Sequence, residues 1–218
     1  MIDLHTHTLL SDGELLPSEL VQRAYCLGYE AIAITDHVDF SNIDLVVPKI
    51  AEAIKGMEQH FKIKIIPGAE ITHVPPALIK NLVLQARSLG AKLVVVHGES
   101  IVDTVAPGTN RAAIEAGADI LAHPGLISRD DAIMARENGV ALELTARKGH
   151  CLANGHVASM ARECGATIII NTDAHGPQDL ITKAWARAIL LSSGITPGDI
   201  EGVFENSKNL VNKFLVRS

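Results

Sequence analysis

His5-Thr6-His7 sets two imidazoles on alternate residues, so in an extended strand both face one side and can grip the same cation. Asp173-Ala174-His175 repeats the spacing with one carboxylate and one imidazole. Glu70, just after Pro67-Gly68, supplies a carboxylate able to bridge two ions, and Asp36-His37, His97 and His123 each follow a short apolar run. An isolated His-x-His is more often two polar residues at a strand edge. Repetition at five further strand ends shifts the reading toward metals. Paired ions about 3.5–4 Å apart that share a nucleophile are the working unit of many hydrolases. The pattern therefore points to a polynuclear metal site built for hydrolysis.

The elements that must position these groups alternate strand and helix. Apolar, β-branched runs fall at Ile2–Leu4, Ala31–Thr35, Ile63–Ile66, Leu93–Val96, Ile120–Ala122, Val140–Leu144 and Thr167–Asn171, bounded by Gly, Asp or Pro. Helical segments occupy the gaps: 17–24 with Pro17 at its first position, 46–60, 76–89, 108–116, 129–138, 155–164 and 177–192. Gly90, Gly117, Gly139, Gly165 and Gly194 stand where left-handed caps would end them. One or two further helices are expected from Thr196 to Ser218. Right-handed crossovers keep all helices outside a parallel sheet, so the expected fold is a seven-stranded (β/α) barrel, with an open doubly wound sheet as the alternative. Barrel enzymes keep their chemistry at the carboxyl ends of the strands, which is where the ligand-type residues lie.

Composition narrows the possible functions. The 218 residues are 47% hydrophobic and only 3% aromatic, consistent with one domain over 1–218 whose core is Ile, Val, Leu and Ala. A net charge of −6 gives no general attraction to nucleic acid. No apolar run reaches spanning length, and a strand starting at Ile2 leaves no room for a signal peptide. Three cysteines, Cys26, Cys151 and Cys164, lack metal or redox spacing, so the expected compartment is a reducing cytoplasm. Oligomeric state is not written in the sequence.

The set His5-Thr6-His7, Ser11-Asp12-Gly13, Ile34-Thr35-Asp36-His37, Gly68-Ala69-Glu70, His97-Gly98, His123-Pro124 and Thr172-Asp173-Ala174-His175 resembles, in order and spacing, the motifs of the PHP (polymerase and histidinol phosphatase) superfamily. The resemblance spans nearly the whole chain and implies a distorted seven-stranded TIM-like barrel, a single domain holding two to three divalent ions of zinc, manganese or iron. It assigns His5, His7, Glu70 and Asp173 to one ion, Glu70, His97 and His123 to a second, and Asp12, His37 and His175 to a third. Some members carry His where this chain has Asp12, a hard ligand that favours Mn²⁺ over Zn²⁺.

Such a cluster favours phosphoryl hydrolysis. The expected substrate is a small phosphomonoester, histidinol phosphate being the family's named example. An exonuclease, 3′-5′ or 5′-3′, or a nucleotide phosphodiesterase is the alternative, and a non-catalytic scaffold barrel the third reading. Arg147, beside Lys148 at the sixth strand end, is the candidate phosphate clamp, against a reading as a solvated loop pair. Arg111 and Arg129 are weaker candidates at helix starts. His73, three residues beyond Glu70, is the candidate proton donor to the leaving group, with His150 and His156 as loop alternatives. Asp36 would orient a ligand or cap a strand end. His60 reads as surface, Cys26 and Cys164 as core-facing, and Cys151 as a thiol near the site.

Overall fold

Within each strand, successive residues face two different cores, and this alternation organises the protein. The computed structural model describes residues 1–216, with side chains through Phe214. Strands β1 (Ile2–Asp3), β2 (Ala31–Ile34), β4 (Lys64–Ile71), β5 (Leu93–His97), β6 (Ile120–Ala122), β7 (Ala141–Thr145) and β8 (Ile168–Asn171) pair in parallel in that order, and β3 (His37–Val38) pairs with β4. β3 is a continuation of β2. Both meet β4 in one register, Ala31 opposite Lys64 and His37 opposite Glu70, so they form a single stave whose ladder skips Thr35 and Asp36. The result is the expected seven-stave barrel, nearly closed, in one domain. The helices are α1 (Pro17–Cys26), α2 (Ile43–Met57), α3 (Pro76–Ser88), α4 (Thr109–Glu115), α5 (Arg129–Asn138), α6 (Asn154–Cys164), α7 (Lys183–Ser192) and α8 (Ile200–Val216).

Inside the staves, Ile2, Leu4, Ala31, Ala33, Ile66, Leu93, Val95, Ile120, Ala122, Ala141 and Ile169 pack into a small central core. Leu210, Val211 and Phe214 of α8 join it and floor the barrel. The intervening residues, such as Ile32, Ile34, Val94, Val96, Leu121, Leu142 and Ile170, face outward into the larger layer beneath the helices.

The seam between β1 and β8 is closed by side chains rather than a ladder. Thr6 and Ala174 form one isolated bridge, with His7 N–H donating to the Ala174 carbonyl at 2.8 Å. Leu4 N–H donates to Asn171 Oδ1 at 2.8 Å, and Thr172 donates through Oγ1 to Asp3 Oδ2 at 2.6 Å.

Several boundaries differ from the sequence reading. β4 runs on through Pro67-Gly68 to Ile71, so Glu70 is within a strand rather than after one. Pro67 is tolerated because it lies opposite Ile34, where β2 pairing ends, while its carbonyl still accepts from Lys92 N–H at 2.8 Å. Gly68 is required by proximity, since a Cβ there would lie 2.7 Å from Thr35 Cγ2. The expected 177–192 helix is a 3-10 turn (Pro177–Asp179), an extended Leu180, and then α7, which Thr182 begins by accepting Trp185 N–H. The tail forms one helix. The five glycines expected as caps all take positive φ, Gly139 and Gly165 directly as C-caps. Cys164 is buried, but Cys26, in the last turn of α1, is exposed, correcting its core assignment: the buried stripe of that helix is Leu20, Val21 and Ala24. No helix among the described residues is long and apolar enough to cross a membrane.

Candidate metal centre

Parity along the strands carries polar groups up from the apolar core. Glu70 lies on the same face as Ile66, His97 on that of Leu93 and Val95, and Glu143 on that of Ala141. His5, His7, Glu70, His123 and Asp173 are all at most 3% exposed, in a protein with little reason to bury so many ionisable groups.

All nine sequence-predicted ligand residues converge. His5 Nε2 lies 3.3 Å from Glu70 Oε1, and His7 Nε2 lies 3.2 Å from Asp173 Oδ1. His97 Nδ1 is 3.3 Å from Glu70 Oε1, and His123 Nε2 is 3.6 Å from Asp173 Oδ2. Asp12 Oδ1 sits between His37 Nε2 at 3.5 Å and His175 Nε2 at 3.3 Å. Their donor atoms fall into compact groups that could each hold an ion, among them His5-His7-Asp173, Glu70-His97-His123 and His7-Asp12-His37-His175.

A test of whether these residues suit metal ions lies in the hydrogen bonds they do not make. His5 Nε2, both ring nitrogens of His7, His97 and His123, and Glu70 Oε1 are buried without a hydrogen-bond partner. Within each group the donor atoms all lie within 4.8 Å of one another, close enough to share one ion. Unsatisfied buried polar atoms are costly and rare, and a concentration of them on imidazoles and carboxylates fits divalent cations.

Electrostatics point the same way. Burial pushes His7 down to about 4 and His123 well below the usual range, so both rings are neutral, the form that binds metal. Burial would raise Glu70, but His5 and His37 outweigh it and hold the carboxyl well below its ordinary value. At His5, Glu143 and Glu70 overcome burial and raise the pKa well above the usual value. In this pocket a cation is favoured at His5, whether a proton or a bound ion. Among the described residues three non-glycines take positive φ, His73 (53°), His123 (28°) and Asp173 (53°), so backbone strain is concentrated at the site.

The cluster opens into a cavity of about 490 Å³ whose walls include Asp12, His37, His73, Arg147, His150 and His175. Arg147 reaches it with Nη1 held 3.3 Å from Asp179 Oδ2, and Asp179 also accepts the N–H groups of His175 and Gly176. His73 is at the rim, its ring 5.1 Å from that of His97. His150 stands 4.2 Å from His123 and contacts Ser100 Oγ at 2.7 Å, whereas His156 bonds the Ile127 carbonyl and does not line the cavity. Arg111 is engaged by Asp131 at 2.8 Å, and Arg129 opens α5. Asp36 binds no ligand histidine; it accepts from Thr8 N–H, Thr8 Oγ1 and Ser11 Oγ, pinning the loop that carries Asp12.

Sequence reasoning missed two carboxylates. Glu143 Oε2 lies 2.8 Å from His5 Nδ1 and accepts Asn171 Nδ2 at the same distance. Asp103 Oδ2 lies 3.2 Å from His97 Nε2. Strand parity alone could have found Glu143, the one charged residue in Ala141–Thr145; Asp103 is in a loop without any such signal.

The PHP domain model matches residues 3–147. An uncharacterised protein of Methanocaldococcus jannaschii is 46% identical over 201 residues, covering 91% of this chain and 92% of that one. Among solved structures, a chain of an archaeal ribonuclease P with mature tRNA superposes with a TM-score of 0.76 at 19% identity, covering 100% and 94% of the two chains. Histidinol phosphate phosphatase from Lactococcus lactis, solved with zinc, L-histidinol and phosphate, superposes with a TM-score of 0.62 at 19% identity, covering 89% and 94%.

Proposed function

The chain belongs to the PHP domain family, and on that premise we propose that it is a metal-dependent phosphoesterase that hydrolyses a small phosphomonoester. The observation that carries this reading is the convergence of nine ligand-type side chains, five of them with unpartnered buried atoms, on a cavity faced by Arg147. In this reading His5, His7, Glu70 and Asp173 hold one ion, Glu70, His97 and His123 a second, and Asp12, His37 and His175 a third. Bound divalent ions supply Lewis acidity toward phosphoryl oxygens and acidify water at neutral pH.

The remaining work belongs to the chain. Glu143 accepts the His5 Nδ1 proton and so presents Nε2, unprotonated, to the site. Arg147 neutralises charge on the phosphate, and Asp179 holds the guanidinium at the cavity wall before substrate arrives. His73, at the rim, is in place to give a proton to the departing alkoxide. The Glu143 role has its own expected result: Glu143→Gln lowers metal affinity about 10- to 100-fold with the fold intact, read by titrating metal into the stripped protein. Affinity equal to wild type would remove Glu143 from this scheme.

A nuclease or nucleotide phosphodiesterase is the second reading, supported by the fold likeness to a chain of an archaeal ribonuclease P structure. The modest cavity favours a small ester over a polymer. The scaffold reading is opposed by the complete ligand set. Steady-state kinetics of wild type and Arg147→Ala on a phosphomonoester and a 5′-phosphorylated oligonucleotide decide the matter. Loss of one charge-assisted contact costs about 1.5–3 kcal/mol, so Arg147→Ala should lower kcat/KM for the monoester about 10- to 100-fold with metal content unchanged. Faster cleavage of the oligonucleotide, steeply salt-dependent and indifferent to Arg147→Ala, would favour the nuclease.

A further inference from the structure

Arg147 lines not one cavity but two. A second hollow of about 370 Å³ is walled by Arg147 with its partner Asp179, and by Lys148, Gln178, Ile181 and Trp185. Trp185, the chain's only tryptophan, is 62% exposed there. Its backbone N–H is tied to Thr182 Oγ1 at 3.2 Å, which fixes the start of α7 beneath the indole. The apolar wall is also fixed: Tyr29 Oη donates to the Ile181 carbonyl at 2.8 Å and accepts Ile181 N–H at 3.1 Å. Arg147 is common to the walls of both cavities, so a ligand with its phosphate in the first and its body in the second would pass this residue.

An exposed indole beside two cations suits a flat, π-rich group joined to a phosphate, because an aromatic face stacks on Trp while Arg and Lys neutralise the ester. Gln178 adds an amide that can both donate to and accept from the edge of a heterocycle. We infer that Trp185 and Gln178 form a subsite for the base of a nucleoside monophosphate whose phosphate is presented to the metal cavity past Arg147. The inference rests on the phosphoesterase reading and narrows its substrate to esters that carry a planar heterocycle.

With a single tryptophan, indole fluorescence reports on this subsite alone. The metal-reconstituted protein is mixed rapidly with a nucleoside 5′-monophosphate, with ribose 5-phosphate, or with an imidazole-bearing alkyl phosphate, and the initial amplitude is recorded. Saturable quenching by the nucleotide and none by ribose 5-phosphate is expected. In parallel, Trp185→Ala should lower the ratio of kcat/KM for the nucleotide over that for ribose 5-phosphate about tenfold, and Trp185→Phe should restore most of it. No base-dependent quenching, or an unchanged ratio in Trp185→Ala, overturns the subsite. Equal quenching by the imidazole ester overturns its assignment to a nucleobase. Metal-dependent turnover of ribose 5-phosphate without any advantage from a base leaves the phosphoesterase reading standing and this inference refuted. Quenching without turnover of any monoester does the reverse.

Discussion

Glu70→Gln should lower phosphomonoester turnover by about three orders of magnitude and remove at least one ion per chain. Glu70 lies on the inner face of β4 with its carboxylate 3.3 Å from both His5 Nε2 and His97 Nδ1, and 2.6 Å from His37 Nδ1. Asp173 also lies near groups of all three sets, 3.2 Å from His7, 3.6 Å from His123 and 3.5 Å from His175, but Glu70 is the residue assigned here to two ions at once. The amide keeps the size and packing of the carboxylate but loses the charge, and one of its ends can only donate. A shape-driven role would therefore survive the substitution, whereas a bridging role would not. Elemental analysis of the reconstituted variant, with circular dichroism to establish folding, separates the two. A variant with wild-type metal content and wild-type turnover would end the bridging assignment.

Phe214→Ala is expected to be the most destabilising of these substitutions, at about 3–5 kcal/mol. Phe214 is fully buried among the central residues of the barrel, at the end opposite the histidines. Truncating it opens a void that the surrounding strands, each hydrogen-bonded to a neighbour, can relax into only in part. For a chain of this size each kcal/mol moves Tm by about 2–4 °C, so a fall of about 10 °C is expected, with metal stoichiometry preserved. A shift below about 3 °C would mean that α8 is not a structural floor.

How much of this was legible in the sequence follows from which signals are local. Strand identity came from short runs such as Leu93–Val96, where β-branched residues bounded by Lys92 and His97 leave little choice. The convergence of nine distant side chains was legible because in a parallel barrel every carboxyl end points the same way, so residues at equivalent ends must share one rim. Breaks in that regularity were not legible. Pro67-Gly68 reads as a strand end, and only the tertiary neighbours Ile34 and Thr35 show why the strand continues. The skip at Thr35-Asp36 depends on Asp36 turning to bind Thr8 and Ser11 of another loop, a contact the local sequence does not encode. Cys26 was misassigned because α1 is short and a one-position error in helical phase carries a residue from core to solvent. Arg147 is the residue whose surroundings most enlarge the reading, since its partner Asp179 comes from a turn that the sequence presents as plain helix.

The seam between β1 and β8 also sets the order in which the protein can mature. His5 and His7 meet Asp173 and His175 only across that seam, which one bridge and a few side-chain hydrogen bonds close. Contacts between segments so far apart along the chain are the slowest to form, because loop closure has to be met before they return any stabilisation. The intervening staves can zip together in sequence while the two ends remain apart. Ions taken up by the centre would then be bound fully only late in folding, and an ion held from both sides would act as a clasp on the finished barrel.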